Sequence, residues 1–219
     1  MQSVGKMADL EIPTNEITER YLRRAPAIAK IHVIGNEDTL KAVSNISSEL
    51  AKTFSQLSVK RVMLLSKKQE ITNLDEMIAK YGQDRDQMIE LMKQYNLQGL
   101  ADQQLWQTIN ENYKFEAKRF DGALEKKTNL SAALIADQLN CLNESVEELN
   151  RLSRLLVSVV VAVRKELEIP IDEENYERMI EETIIKQTDN MTHFLDQIRT
   201  LATAQYGLTV NDPGEKPVS

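Results

Sequence analysis

A large aliphatic residue recurs every seven positions through Val43, Leu50, Leu57, Leu64, Ile71 and Ile78. A strict seven-residue repeat of this length keeps one face of a single α-helix against the same neighbour, so the chain is committed to long packed helices. The rest of the sequence reads as cover for that stripe.

Turn chemistry is scarce. Seven glycines and five prolines are spread over 219 residues, most of them near the ends or between periodic segments. Leu, Glu, Lys, Gln, Ala and Arg are plentiful and aromatics make up only 5 % of the chain, which favours helices over any sheet. The formal net charge of −7 argues against nucleic acid as a partner, because phosphate binding needs a positive field. The single cysteine, Cys141, allows neither an internal disulfide nor a thiolate metal cage. The N-terminal residues lack the apolar run of a signal peptide, and the longest apolar run, Leu155 to Val163, is far short of the roughly 20 residues of a membrane span.

Taken in order, residues 1–13 have no period and are expected to be a flexible N-terminus. A helical segment over about 14–34 opens at Thr14, bends or restarts at Pro26 and ends at Gly35. Asn36 has the chemistry of an N-cap, with Glu37 and Asp38 in the first turn where the helix dipole favours acids. The helix it starts is expected over about 36–95, running through Gly82. Asn96 to Gly99 supplies the turn, and a second long helix follows over about 100–168, stopped by Pro170. Asp172 caps a third helix over about 173–206, with Tyr176, Ile180, Ile184, Met191, Phe194, Ile198 and Leu201 on its inner face. Residues 208–219 read as a disordered tail.

The fold class that follows is all-α. A long antiparallel, coiled-coil-like helical hairpin is joined by a third packed helix and a short N-terminal helical segment, which form a bundle at one end. Residues 14–207 make a single elongated domain. At 1.5 Å per residue the two long helices would each span roughly 90 to 100 Å, so the hairpin from about Gln69 to Lys127 is expected to project as a two-helix arm. The apolar run Leu155 to Val163 is expected to be surrounded in the bundle.

Two surfaces could carry function. The tip of the arm concentrates Tyr81, Met88, Met92, Tyr95, Trp106, Tyr113, Phe115 and Phe120. Aromatics at helical spacing usually close a seam, but a two-helix arm is thin enough to leave some of them as a contact patch. A basic belt gathers Lys60, Arg61, Lys67 and Lys68 from the first long helix, and Lys114, Lys118, Arg119, Lys126 and Lys127 from the second. It is either a solvated face with stems packed over the seam or a surface for anionic lipid or an acidic partner.

Catalytic and metal chemistry find little footing. Only His32 and His193 are present, and neither follows a glutamate by three residues as di-iron bundles require. A cluster of Glu177, Glu181 and His193 is imaginable, but acids in a first turn normally complement the dipole. Cys141 sits in an apolar-periodic stretch and reads as a buried, inert thiol. No glycine-rich phosphate loop is present. The expectation is a protein that is not an enzyme and has no cofactor and no metal.

The segment Ala29-Lys30-Ile31-His32-Val33-Ile34-Gly35-Asn36-Glu37, followed by Leu40 and Ala42, resembles a stretch recurring in uncharacterised bacterial helical proteins. There a pattern like A-K-I/V-x-L-x-G-S-x-E/D opens a long helical hairpin, often after a membrane-spanning pair. Here Asn36 replaces the serine and preserves capping, and the membrane pair is missing. The resemblance implies a bacterial or phage helical protein near a membrane and supplies no active site.

The expected function is a non-enzymatic helical scaffold acting through coiled-coil-type protein contacts, with a homodimer favoured over a foreign protein partner. The alternative is a membrane-surface module using the basic belt on a plan like that of BAR domains. A cytoplasmic setting, with the membrane face as a variant of it, fits both.

Overall fold

The computed structural model describes residues 4–23 and 25–206. The described residues form a short 3-10 turn at Val4–Lys6 and five α-helices: α1 Thr14–Leu22, α2 Ala25–Ile34, α3 Glu37–Leu97, α4 Gln103–Glu166 and α5 Glu173–Tyr206. No strand occurs among them, and the class is all-α as the periodicity requires. The expected N-terminal helical segment is two helices, restarting at Ala25. α3 passes through Gly82 and α4 through Gly122 without a break. The expected tail at 208–219 lies outside the described residues.

The helix ends follow local chemistry. Asn36 Oδ1 accepts the Thr39 backbone N–H at 2.9 Å, and Asp172 Oδ1 accepts that of Asn175 at 3.0 Å, so α3 and α5 carry the caps their sequences announce. α3 closes at Gly99, whose φ of 62° no side chain would favour. Asp102 then caps α4 by accepting from Gln104 and Leu105, both at 3.0 Å. α4 ends in the same left-handed geometry at Glu168, φ 56°, with the Ile169 N–H returned to the Arg164 carbonyl at 2.9 Å.

The chain divides into two compact units. The first comprises Met1–Leu64 and Ala136–Ser219, the second Leu65–Ile135. In the first, the early part of α3 packs antiparallel to the later part of α4, with Val43, Leu57, Leu64, Leu139, Cys141, Leu152 and Val157 buried between helices. α5 lies along α4, where Asn150 Nδ2 donates to Thr188 Oγ1 at 2.9 Å and Arg154 pairs with Glu181 at 2.7 Å. Its buried residues are Ile184 and Leu195, whereas Phe194 and Leu201, expected inside, are 46 % and 63 % exposed. The stripe turns through Leu195 because i, i+7 and i+11 from Ile184 lie on one face, and Phe194 falls one residue outside it.

Two further expectations are corrected in this unit. Residues 4–13 are not a loose leader: Val4, Met7 and Leu10 are buried, and they pack as a turn-rich segment ahead of α1. The run Leu155 to Val163 is not enclosed. Val157 is buried, Ser158 is exposed and the remaining residues are half-buried, because α3 and α5 cover only part of that helix.

In the second unit the distal parts of α3 and α4 form an antiparallel pair. Tyr95 meets Trp106 with ring centroids 5.2 Å apart, and the Phe120 ring lies 3.4 Å from where a Cβ on Gly82 would stand. Leu74, Ile109 and Ala123 are its buried apolar residues. The pair Lys126–Glu70 at 2.8 Å and Lys127–Asp75 at 2.5 Å hold the same register.

Candidate functional site

The seam of Leu57 and Leu64 against Cys141 and Leu152 has two flanks, and the chain treats them differently. On α3, Phe54 and Arg61 are one i, i+7 pair on the first flank, while Gln56, Lys60 and Met63 mark the second. On α4, Gln138 and Ser145 face the first flank, and Asp137, Glu144 and Glu148 the second.

The first flank is filled by the chain's own N-terminal segment. Arg61 is 1 % exposed, and its guanidinium donates to the carbonyl oxygens of Met7 at 2.8 Å, Asp9 at 2.7 Å and Ile12, and to Thr14 Oγ1 at 3.3 Å. From α4, Gln138 Nε2 donates to the Ala8 carbonyl at 3.2 Å. Tyr21 of α1 stacks on Phe54 with centroids 4.1 Å apart and ring planes 16° from parallel. Burial depresses the pKa of Arg61, with Asp9 and then Cys141 acting against it. A planar five-donor group suits this task, since several carbonyls of an irregular segment converge on one plane.

The second flank is uncovered among the described residues. A groove runs along it, floored by Leu57, Leu64 and Cys141 and walled by Met63 on α3 and by Glu144 and Glu148 on α4. At its lip Val59 and Met63, four residues apart on one face of α3, are 55 % and 62 % exposed. Lys60 crosses the groove to pair with Glu144. At one end a polar cluster closes the gap between the helices: Arg151 bonds Glu49 at 2.5 Å and Glu148 at 2.7 Å, and Thr53 Oγ1 donates to Glu148 at 2.7 Å. Burial alone would raise the Glu148 carboxyl, but the bonds from Thr53 and Arg151 outweigh it and hold the group below its ordinary value.

The surfaces expected from the sequence fare unequally. Of the tip residues, Tyr81, Met88, Met92, Tyr95, Trp106, Tyr113 and Phe120 are half-buried in the second unit, and only Phe115, 59 % exposed, faces solvent. Tyr95 is further tied down by its hydroxyl, which donates to the Asp102 carbonyl at 2.8 Å. Arg119 lies 4.0 Å over the Tyr81 ring, and Arg85 lies 4.6 Å over Phe120. The aromatics therefore close the seam, and the expected patch shrinks to Phe115.

The belt is not an unopposed positive surface. Arg61 is buried, Lys60 pairs with Glu144, Arg119 with Glu116 at 3.2 Å, Lys126 with Glu70 and Lys127 with Asp75. Lys67 and Lys68 are half-buried, and Lys114 and Lys118 are exposed. The first two of the nine belong to the first unit and the other seven to the second.

Burial, the largest cause, raises the pKa of the Cys141 thiol, the direction of an unreactive group. Among the described residues no group of three or more His, Cys, Asp or Glu side chains could hold a metal ion, and no helix is long and apolar enough to cross a membrane. The open flank was missed by sequence reasoning because Val59 and Met63 look like ordinary members of an apolar helix. The signal that could have found them is phase: both lie off the seven-residue ladder. No family model, no curated protein and no solved structure matches this chain.

Proposed function

We propose that this protein is a helical scaffold that acts by protein contact, not by catalysis, and that the uncovered flank of the α3/α4 seam in the first unit is where contact is made. The observation that carries this reading is the exposure of Val59 and Met63 beside a groove whose opposite flank is filled by the chain's own residues 4–22. Two antiparallel helices leave two grooves, and burying apolar surface in the second is worth about 25 cal/mol per Å². A helix from a second copy or from another protein is the natural filler.

The membrane-surface reading draws less support. Lys60, Arg61, Arg119, Lys126 and Lys127 of the belt are buried or paired within the chain, which weakens the field that anionic headgroups would feel.

Hydrogen exchange tests the contact reading. The chain is examined across a wide concentration range alone and then with amphipathic helical peptides of positive, neutral and negative flanking charge. Protection is expected to build over residues 56–64 and 137–148, and to vanish in the double variant Val59→Glu, Met63→Glu. If neither self-association nor any peptide protects this flank, the reading fails.

A further inference from the structure

The second unit holds little core of its own. Within Leu65–Ile135 the buried apolar residues are Leu74, Ile109 and Ala123. Two helices side by side share one seam, and apolar residues that do not fit into it stay on the two faces beside it. Those faces differ. On one, Arg119 lies over the rings of Tyr81 and Phe115, and Lys126 pairs with Glu70. On the other stand Ile71, Ile78 and Ile89 of α3, at i, i+7 and i+18, with Tyr113, Phe120 and Leu124 of α4, at i, i+7 and i+11. Leu124 is 45 % exposed and the other five are half-buried, although each is large and apolar. Followed over residues 71–95, a face two helices wide has a footprint on the order of 800 Å², the share per partner of a standard interface.

Charge selects what meets it. Ten basic residues stand against eleven acidic ones over 65–135, so this unit carries −1 of the chain's −7, and two copies meeting here avoid most of the repulsion of an acidic chain. The rims are also self-complementary. The contacts of Arg119 with Tyr81 and of Phe120 beside Gly82 fix the register of the pair, and they carry Asp86 and Glu90 of α3 to the level of Lys114 on α4. Asp86 and Glu90 border the groove that Ile78 and Phe120 line. Lys114 is exposed and has no ion pair among the described residues. Asp121, one heptad further on the same edge, lies level with Ala79 and Gln83, which are uncharged.

We propose that two copies of the chain associate through this face, about a two-fold axis parallel to the helices, with α3 of each against α4 of the other in a four-helix bundle. Lys114 of each copy then meets Asp86 and Glu90 of its partner. Those acids have exposed neighbours in their own chain, Arg85 at 2.9 Å and Lys93 at 3.6 Å, pairs weak enough to admit a second cation. Apolar burial drives the contact, and the charges choose its register. This surface is separate from the open flank of the first unit, so either can fail without the other.

Sedimentation of the full chain over a range of concentrations reads the mass, and hydrogen exchange at the two ends of that range reads the place. A dimer is expected, with protection building over residues 78–90 and 113–124. Leu124→Glu should keep full helix content by circular dichroism and weaken the dimer at least tenfold. Lys114→Glu and the double variant Asp86→Lys, Glu90→Lys should each weaken it about tenfold, and an equal mixture of the two should recover the affinity of the wild type. A monomer at about 100 μM, far above the micromolar end of interfaces this size, overturns the proposal. So does a dimer that protects 56–64 and 137–148 in place of this face, which would move the second copy to the flank of the first unit. A mixture of the two charge variants that associates no better than either alone overturns it as well.

Discussion

Arg61 donates from Nη1 to the Met7 carbonyl oxygen at 2.8 Å, across 54 residues of chain, with 1 % of its surface left to solvent. A buried guanidinium is costly unless its donors are satisfied, and here backbone carbonyls do most of that work. The bond therefore fixes the irregular segment before α1 to the middle of α3. Arg61→Ala is expected to cost about 2 to 4 kcal/mol, because several carbonyls lose a charged donor at once. Its signature is local: hydrogen exchange at residues 7–14 should accelerate far more than at 139–152. If the segment keeps its protection in the variant, the apolar residues Val4, Met7 and Leu10 hold it without the arginine.

Why Arg61 was hidden in the sequence, when the helices were not, has a physical reason. The ladder from Val43 to Ile78, the cap at Asn36 and the turn at Gly99 are local signals, each written in a few adjacent residues. Arg61 stands beside Lys60 in a run of cations and carries no local mark of burial. What buries it is residues 4–14, some fifty positions away and without a period. The triplet spacing of Val4, Met7 and Leu10 was the available hint, too short to separate a packed turn from a loose one. The open flank was hidden for the converse reason, since an exposed valine on an apolar helix looks like a core valine until the neighbours are known.

Gly35 joins α2 to α3 where no side chain fits. A Cβ there would stand 2.9 Å from the Ile31 carbonyl oxygen and 3.3 Å from Thr39 Cγ2. The first of these is backbone and part of the bond that Gly35 N–H makes to it at 2.8 Å, so it cannot turn aside like a flexible side chain. Gly35→Ala should cost about 1 to 3 kcal/mol, in the range of overpacking a tight site. Denaturant melts of the variant read this directly, and a loss of only a few tenths would mean the junction shifts freely.

Glu168 ends α4 at φ 56°, a conformation that costs an L-residue roughly 1 to 2 kcal/mol relative to glycine. Its side chain is exposed, so little is lost by removing it. Glu168→Gly is expected to stabilise the protein by about 1 kcal/mol, with part of the gain cancelled by the greater freedom of glycine in the unfolded chain. The same substitution at Glu182, exposed in the interior of α5, should instead destabilise by about 1 kcal/mol. Paired thermal melts of the two variants should move in opposite directions.

Glu148 gives the stability a defined acid dependence. Its folded pKa lies below the ordinary glutamate value of 4.5 because Thr53 and Arg151 bond the charged form and outweigh desolvation. A group depressed on folding stabilises fully above its unfolded value and loses that contribution as pH falls through the folded one. The cluster should therefore hold above about pH 5 and weaken progressively below it, by on the order of 1 kcal/mol for a partly exposed group. In Glu148→Gln the carbonyl oxygen still accepts from Thr53 but no longer carries charge for Arg151. The variant is expected to be less stable at neutral pH and to converge with the wild type near pH 3. Denaturation midpoints measured at intervals between those limits check the sign. A gap that stays constant down to acid would mean Arg151 gains nothing from the charge of Glu148 and relies on Glu49, which it meets at 2.5 Å.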